Sequence, residues 1–398
     1  MARAAKSERE RDSAVVPAEM RKENWSKYAG TELEALLSPD EALGEAPVAL
    51  VDARFLIALA KQGGRLLRRQ DIPADAFITM DALQRMPHGW GALRVLCVSH
   101  PWLQPDHPDP KGTTLALLAR VLDKFVGFTG NGVCTWAVFL DFASLHQKDA
   151  AGERSEREAT LFGRALSRLS DLYSHPRTFV LKCSALPDGY PAGFTFPASC
   201  TPNQAAYDER GWCFCEARMA ALVKDADKVL DLGHYDVDAP DLQGVVVRCR
   251  RGRPPPLPPV EFAAELETKS FTSKKADLLT VSALYKTAFE ARIGAAEKLG
   301  FGNLRWGDDE IYVVARALCG ARTLTHLDLG HDCALTHAGV DALAQSLRSD
   351  DTAPQLKCVR ALFQSRAAGA YAQQTLTSAR LGLEIRVSEP WYEAQQRE

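Results

Sequence analysis

The sequence predicts an α/β fold: an open parallel sheet with helices on both faces, followed by a short repeated segment. Three observations predict it. Short apolar runs alternate with helical patterns from residue 93 onward, polar residues cluster where those runs end, and a weak self-similarity with an offset of 29 residues appears after residue 300. The chain has 398 residues, 46% of them hydrophobic, which is enough for a sizeable core and for two or three domains.

The candidate strands are LRVLCV (93–98), TWAVFL (135–140), TFVLK (178–182) and KVLDL (228–232). Each is a mostly uninterrupted apolar run, as expected of a strand covered on both faces. Helical patterns lie between and after them at TLALLARVLDKF (114–125), ATLFGRALSRLSDLY (159–173) and ERGWCFCEARMAALV (209–223). Strand and helix alternate with connections long enough for right-handed crossovers, which argues a parallel sheet. VVVRC (245–249) is a candidate fifth strand.

The flanks are read as follows. Residues 1–30 are charged and aperiodic, as in a disordered tail. Residues 31–92 form a mixed accessory segment with helical spacing in ELEALL and ARFLIALAKQGGRLLRR, and 93–250 hold the α/β domain. Residues 251–299 combine a proline-rich linker, RCRRGRPPPLPP reaching back to 248, with a helix from about Lys275 to Leu299. Consecutive prolines remove donors and fix an extended conformation, so this stretch reads as an exposed spacer. Arg253, Pro256 and Pro259 also fit the R-x-x-P-x-x-P spacing of a ligand for aromatic-lined grooves. Residues 300–365 carry the repeat and 366–398 a C-terminal extension.

Composition excludes several classes. Forty-eight basic residues against fifty-one acidic ones, net charge −3, give no global attraction to nucleic acid or an anionic membrane. No apolar stretch has the length of a membrane span, and the first residues lack the apolar core of a signal peptide, so the expected location is cytoplasmic. Ten scattered cysteines without a C-x-x-C pair read as reduced, buried thiols. Phosphate-loop, dinucleotide and serine-hydrolase signatures are absent. His326, His331 and His337 surround one repeat without a second cluster at ligand spacing, so no metal site is expected, nor any resident cofactor.

Three segments carry the candidate chemistry: VSHPW (98–102), FLDFASLHQ (139–147) and YDERGWCFCE (207–216). Ser99 and His100 follow the first strand and Asp141 ends the second, and ligands of open parallel sheets sit at the carboxyl ends of strands. On a helix at about 100° per residue, Trp212, Met219 and Val223 form one stripe and Glu216 lies about 40° from Trp212. Its carboxylate therefore points toward the core or a cleft. It is either a pocket acid or a structural acid paired with an arginine such as Arg54 or Arg210. Ser99 and His100 have the alternative of capping the segment that follows, and Asp141 that of accepting backbone N–H bonds.

Taken together, SHPW, FLDFASLHQ and RGWCFCE resemble the heterokaryon-incompatibility domain, whose pattern runs S-x-x-W, W-I-D-x-x-C-I-x-Q, R-x-W-x-x-x-E. That family belongs with the Toll/interleukin-1 receptor (TIR) domains, and the resemblance covers about residues 93–235. It implies a TIR/flavodoxin-like sheet. In TIR domains that hydrolyse NAD the matching glutamate is catalytic; by position it is Glu216, with Trp212 and Cys213 as motif companions, and NAD is then a substrate. Ser99, His100, Trp102, Asp141 and Trp212 would bind or orient the ligand. Leu103 and Leu145 depart from the pattern, standing where it has glycine and a small residue. The chemistry asks little, because nicotinamide leaves neutral and an oriented carboxylate stabilises an oxocarbenium-like state.

LTHLDLGHDCALTHAGVDALAQSL (324–347) has the L-x-x-L-x-L spacing followed by a helix, and LRWGDDEIYVVARAL (304–318) aligns with its second half. This resembles leucine-rich repeats of the ribonuclease-inhibitor type, with LKCVRALF (356–363) a candidate third copy. The resemblances imply an intracellular signalling or defence-type protein that assembles through its α/β domain and presents its repeats to a protein partner. The alternative is an NAD-cleaving enzyme.

Overall fold

A computed structural model describes residues 18–86, 92–128, 135–196, 201–251, 253–271, 274–330, 335–363 and 366–388. The first 17 residues, His331 and the last ten residues lie outside them. The fold is mixed α/β, with parallel and antiparallel strand pairs. The chain divides into two compact units.

The first unit comprises residues up to Val98, Pro108–Arg168 and Arg177–Phe179. Helix α1 (Ala18–Leu37) opens it, broken at Gly30, whose φ of 69° is left-handed. The disordered-tail expectation therefore fails from residue 18, because Trp25 and Ala29 are fully buried and anchor the segment. Then come β1 (Leu50–Asp52), α2 (Ala53–Lys61), β2 (Phe77–Ile78), α3 (Met80–Arg85), β3 (Val95–Ser99), α4 (Thr113–Phe128), β4 (Ala137–Leu140), the single turn α5 (Asp141–Ser144) and α6 (Glu156–Ser167). Asp52 caps α2 by accepting from the Arg54 amide at 2.8 Å, and Ser155 and Glu158 form a reciprocal capping box on α6.

Strand order here is β2-β1-β4-β3. β3 and β4 run parallel with Val98 opposite Leu140, and both are buried along their whole length. β1 is antiparallel to both β4 and β2, which corrects the expectation of a purely parallel sheet. Strands of three and two residues leave no run for a sequence pattern to detect. Phe125, Trp136 and Phe179 meet edge to face at 5.0–5.6 Å in the core.

The second unit comprises Ser99–His107, Leu169–Pro176 and Val180 onward. It holds α7 (Leu169–Ser174), β5 (Phe179–Lys182) from Val180 on, α8 (Gly211–Ala220), β6 (Val229–Asp231), α9 (Leu242–Cys249), α10 (Pro259–Leu266) and α11 (Lys274–Arg292). β5 and β6 are parallel, with Lys182 opposite Asp231. VVVRC is the body of helix α9, not a strand. Asp241 caps that helix, accepting from the Gly244 amide at 2.8 Å, and Leu242, Val245, Val246 and Cys249 are buried at helical spacing. Three consecutive valines favour a strand only where nothing caps a helix first.

After α11, which stops at Arg292 where the sequence suggested Leu299, the chain makes a second sheet: β7 (Lys298–Gly300), α12 (Asp308–Ala317), β8 (His326–Asp328), α13 (His337–Leu347), β9 (Cys358–Leu362), α14 (Arg366–Ala379) and β10 (Glu384–Ser388). Its four strands lie in chain order and all pair parallel, with Leu299, Leu327, Val359 and Ile385 in register. Successive turns are tied by Asp308, which accepts from the amides of Thr336 and Gly339 at 3.0 and 3.1 Å. The C-terminal extension supplies the last helix and strand of this sheet. Arg380 there donates to the carbonyls of Leu347, Ser349, Thr352 and Ala353.

The proline-rich segment is not an exposed spacer. Arg253 is 3% and Leu257 7% exposed, and Pro255 and Pro256 are buried; Trp306 from later in the chain holds the Arg253 carbonyl and Tyr285 that of Leu257. The described cysteines are free thiols, and all but Cys319 are buried.

Candidate functional site

Ser99 ends β3 in the second unit and is completely buried. Its hydroxyl donates to Glu216 Oε2 on α8 and lies 2.5 Å from the Tyr207 hydroxyl. A serine hydroxyl has one proton, so when it donates to the carboxylate the phenol must donate to it. The chain of bonds therefore runs Tyr207 to Ser99 to Glu216. Burial first, then the negative potential of Cys213 and Glu216, pushes the Tyr207 phenol well above its ordinary value, so it stays a donor. Tyr207 is 2% and Glu216 7% exposed.

Local structure explains why these residues meet. Tyr207 sits in a 3-10 turn (Tyr207–Glu209) that leads into α8. Gly211, the first residue of α8, accepts the ring of Phe271 against its backbone; a Cβ there would stand 1.9 Å from that ring. The strand-like exchange of Gly211 N to Ser270 O at 2.9 Å and Ser270 N to Glu209 O at 2.8 Å fixes the helix start. Arg210 is buried and donates to the carbonyls of Trp102 at 2.6 Å, Ala205 at 3.0 Å and Asn203. It stitches the VSHPW loop to the loop before α8, and it is not the ion-pair partner of Glu216 that the spacing allowed.

The remaining sequence-selected residues divide as follows. His100 is buried at 5% exposure, and Trp102 and Trp212 are half-buried. Met219 is buried and Val223 half-buried, but Cys213, Phe214 and Cys215 are buried too, so α8 is covered nearly all round instead of along one stripe. Burial, then Glu216, raises the Cys215 thiol well above the ordinary range, which leaves it inert. Asp141 belongs to the first unit, where it opens the turn α5 and accepts from the Phe142 amide at 2.6 Å. Gln147 of the same segment donates to the carbonyls of Asp141 at 3.1 Å and Leu145 at 3.0 Å, closing that turn.

Sequence reasoning missed three residues. Tyr207 opens the YDERGWCFCE segment, and the available signal is that a buried tyrosine needs a partner for its hydroxyl. Lys182 and Asp231 end β5 and β6 as Ser99 ends β3. They form a buried ion pair at 3.1 Å, with Lys182 Nζ 5.5 Å from the centre of the Tyr207 ring. Asp231 also accepts from Ser184 and from the Gly233 amide at 3.0 Å. Two carboxylates, three hydroxyls and a buried ammonium thus gather at the carboxyl ends of parallel strands. No group of three or more His, Cys, Asp or Glu able to hold a metal occurs among the described residues.

No family model matches the chain, and no curated protein matches it. Among solved structures, one titled "Leiomodin-1 Actin-Binding Site 2 (ABS2)" aligns at 15% identity and a TM-score of 0.22, over 28% of this chain and 65% of that one. A superposition that poor carries no argument about fold or function.

Proposed function

We propose that this chain is an intracellular signalling or defence-type assembly protein with a TIR- or incompatibility-like α/β portion and a leucine-rich-repeat-like segment that presents a protein-binding surface. One observation carries the reading. In the second sheet Leu327 and Val359 alternate into the core, while the next position of each strand places Asp328, Arg360 and Arg386 side by side in register on an open face. Those side chains are half exposed, at 43%, 53% and 59%. Arg360 pairs with Asp328 of the neighbouring strand at 3.4 Å, and Arg386 with Glu384 of its own strand at 2.8 Å. Stacked strands in chain order with a polar face are what repeat proteins use for recognition. No described helix is long and apolar enough to cross a membrane. Cross-linking in cells to the wild type and to Arg360→Glu/Arg386→Glu tests it: a partner lost only in the variant supports the surface, and an unchanged cross-link pattern removes it.

A second reading is favoured by the meeting of Ser99 and Glu216, which lie 117 residues apart in sequence. That pair is what an NAD-cleaving site would use to hold ribose hydroxyls and stabilise an oxocarbenium-like state. Glu216→Gln keeps size and an acceptor for Ser99 while removing the charge. Under this reading wild-type protein releases nicotinamide from NAD and the variant loses about two orders of magnitude with its melting temperature little changed. Absence of release from wild type, dilute or concentrated, sinks it.

A further inference from the structure

The proline-rich segment that reads in sequence as a ligand is bound inside its own chain as one. Trp306 Nε1 donates to the Arg253 carbonyl at 3.1 Å, Arg218 Nη1 to the Pro255 carbonyl at 3.3 Å, and the Tyr285 hydroxyl to the Leu257 carbonyl at 2.8 Å. The Leu257 amide returns a bond to the same hydroxyl at 3.1 Å. Three alternate carbonyls of an extended strand are thus capped by side-chain donors. Polyproline segments offer carbonyls in this way because their backbone has no internal hydrogen bonds. The donors belong to ring pairs: Tyr285 stacks on Phe262 at 3.8 Å, and Trp306 lies 5.0 Å from Phe301.

The basic end of the motif is also captured. Arg253 Nε and Nη2 donate to the Ala221 carbonyl at 3.1 and 2.7 Å, at the negative C-terminal end of α8, and the guanidinium lies 5.3 Å from the Phe301 ring and 6.0 Å from that of Trp306. Its Nη1 is buried and has no hydrogen-bond partner among the described residues. Burial far outweighs the pull of Asp225 and lowers Arg253 to about 9. A buried cation held by one carbonyl and two rings, with a donor left over, is a poorly compensated fit.

We propose that Tyr285, Trp306, Phe301 and Arg218 form a polyproline-recognition site, occupied in cis by residues 253–257, which takes an arginine-led proline-rich peptide in trans when its own strap leaves. The occupied state is closed, and the strap opens without unfolding of the unit that holds it. The inference is independent of both functional readings above.

Two measurements on the full chain test it. In the wild type, hydrogen exchange at the Leu257 amide is expected to run at least about a hundredfold faster than at the Leu327 amide of β8, because the strap opens sub-globally. Equal rates overturn the proposal, since the strap then leaves only when the unit unfolds. In the second, a fluorescent peptide of residues 250–260 is titrated into wild type and into Pro255→Gly/Pro256→Gly, which lacks the preorganised extended strap. The wild type is expected to show no binding up to millimolar peptide. The variant is expected to bind saturably, and adding Trp306→Phe is expected to weaken it about fivefold through loss of one donor. A folded variant that binds no peptide, or binds it equally well with Trp306→Phe, overturns the proposal.

Discussion

Replacing Ser99 with alanine should cost far more than one hydroxyl is worth. Ser99 is the middle of a three-member chain and is completely buried, with Tyr207 at 2% and Glu216 at 7% exposure. Its removal leaves the phenol without its acceptor and the carboxylate without this donor. The orphaned phenol costs about 1–3 kcal/mol and the lost hydrogen bond to a charged group about 1.5–3 kcal/mol, so the variant should lose about 3–5 kcal/mol. Tyr207→Phe removes a donor whose absence leaves only one lone pair of Ser99 unmatched, while Ser99 still serves Glu216. That change should cost about 1 kcal/mol. Glu216→Gln retains an acceptor for Ser99 and should fall between the two.

The assay is urea unfolding followed by tryptophan fluorescence, since Trp102, Trp212 and Trp306 all belong to the second unit. The midpoint should shift at constant denaturant slope. In the double variant Ser99→Ala/Tyr207→Phe, the phenol that alanine orphaned is itself gone, so the pair should cost at least about 1 kcal/mol less than the sum of the single changes. A Ser99→Ala cost under about 1 kcal/mol, or strict additivity in the cycle, would show that water or other groups reach both partners and that the chain of bonds is not sealed.

Further outcomes follow from other positions. His146 in the first unit lies 3.0 Å from Glu45, and burial, then Arg69, lowers it below its usual 6.5. The folded state then binds fewer protons than the unfolded one, so stability present above pH 6.5 is lost as pH falls through the window below it, and His146→Gln should flatten melting temperature between about pH 7 and pH 5.5. An unchanged slope refutes this. Gly211→Ala sets a methyl 1.9 Å from the Phe271 ring and should cost about 1–3 kcal/mol, less when combined with Phe271→Ala; additivity would mean that the ring simply swings away. A fragment of residues 294–398 should be largely unfolded by circular dichroism, because it loses the bonds from Trp306 to Arg253 and from Arg316 to Glu261 at 2.6 Å. A cooperative melt matching the full chain would contradict it.

What the sequence disclosed depended on how locally each feature is determined. Val95–Ser99, Ala137–Leu140, Phe179–Lys182 and Val229–Asp231 are strands because apolar runs covered on both faces have few other uses, and each was legible to within two residues. Leu50–Asp52 and Phe77–Ile78 were not, because such short pieces are held by their neighbours in the ladder and not by their own composition. Val245–Val247 misled through β propensity when Asp241 had already set a helix. In the site, Ser99 and Glu216 stood out by position, whereas Tyr207 did not, since its role depends on a serine 108 residues away. The burial of the proline strap is hidden from its local sequence for the same reason. The groups that bury it, Tyr285 and Trp306, come 28 and 53 residues after the carbonyls they hold.

Glu216 is placed from both ends of its helix. At the start, Arg210 and Gly211 tie α8 to the loops around Trp102 and Ser270; at the end, Arg253 holds the Ala221 carbonyl while Arg218 of the same helix holds the Pro255 carbonyl. The first clamp is made of satisfied bonds and tight ring contact. The second includes a buried guanidinium with an unmatched donor, so it is the weaker of the two. Strain applied to the second sheet and reaching the strap through Trp306 would therefore reach α8 at its C-terminal end first, leaving Tyr207, Ser99 and the helix start in place. Glu216 lies one turn from that end, close enough for its carboxylate to shift against a fixed Ser99 hydroxyl when the strap lets go. On the proposed reading, a partner on the face of the second sheet and the Glu216 carboxylate would be coupled through one proline strap, and such a coupling would run in both directions, since whatever fixes Glu216 would also hold the strap closed.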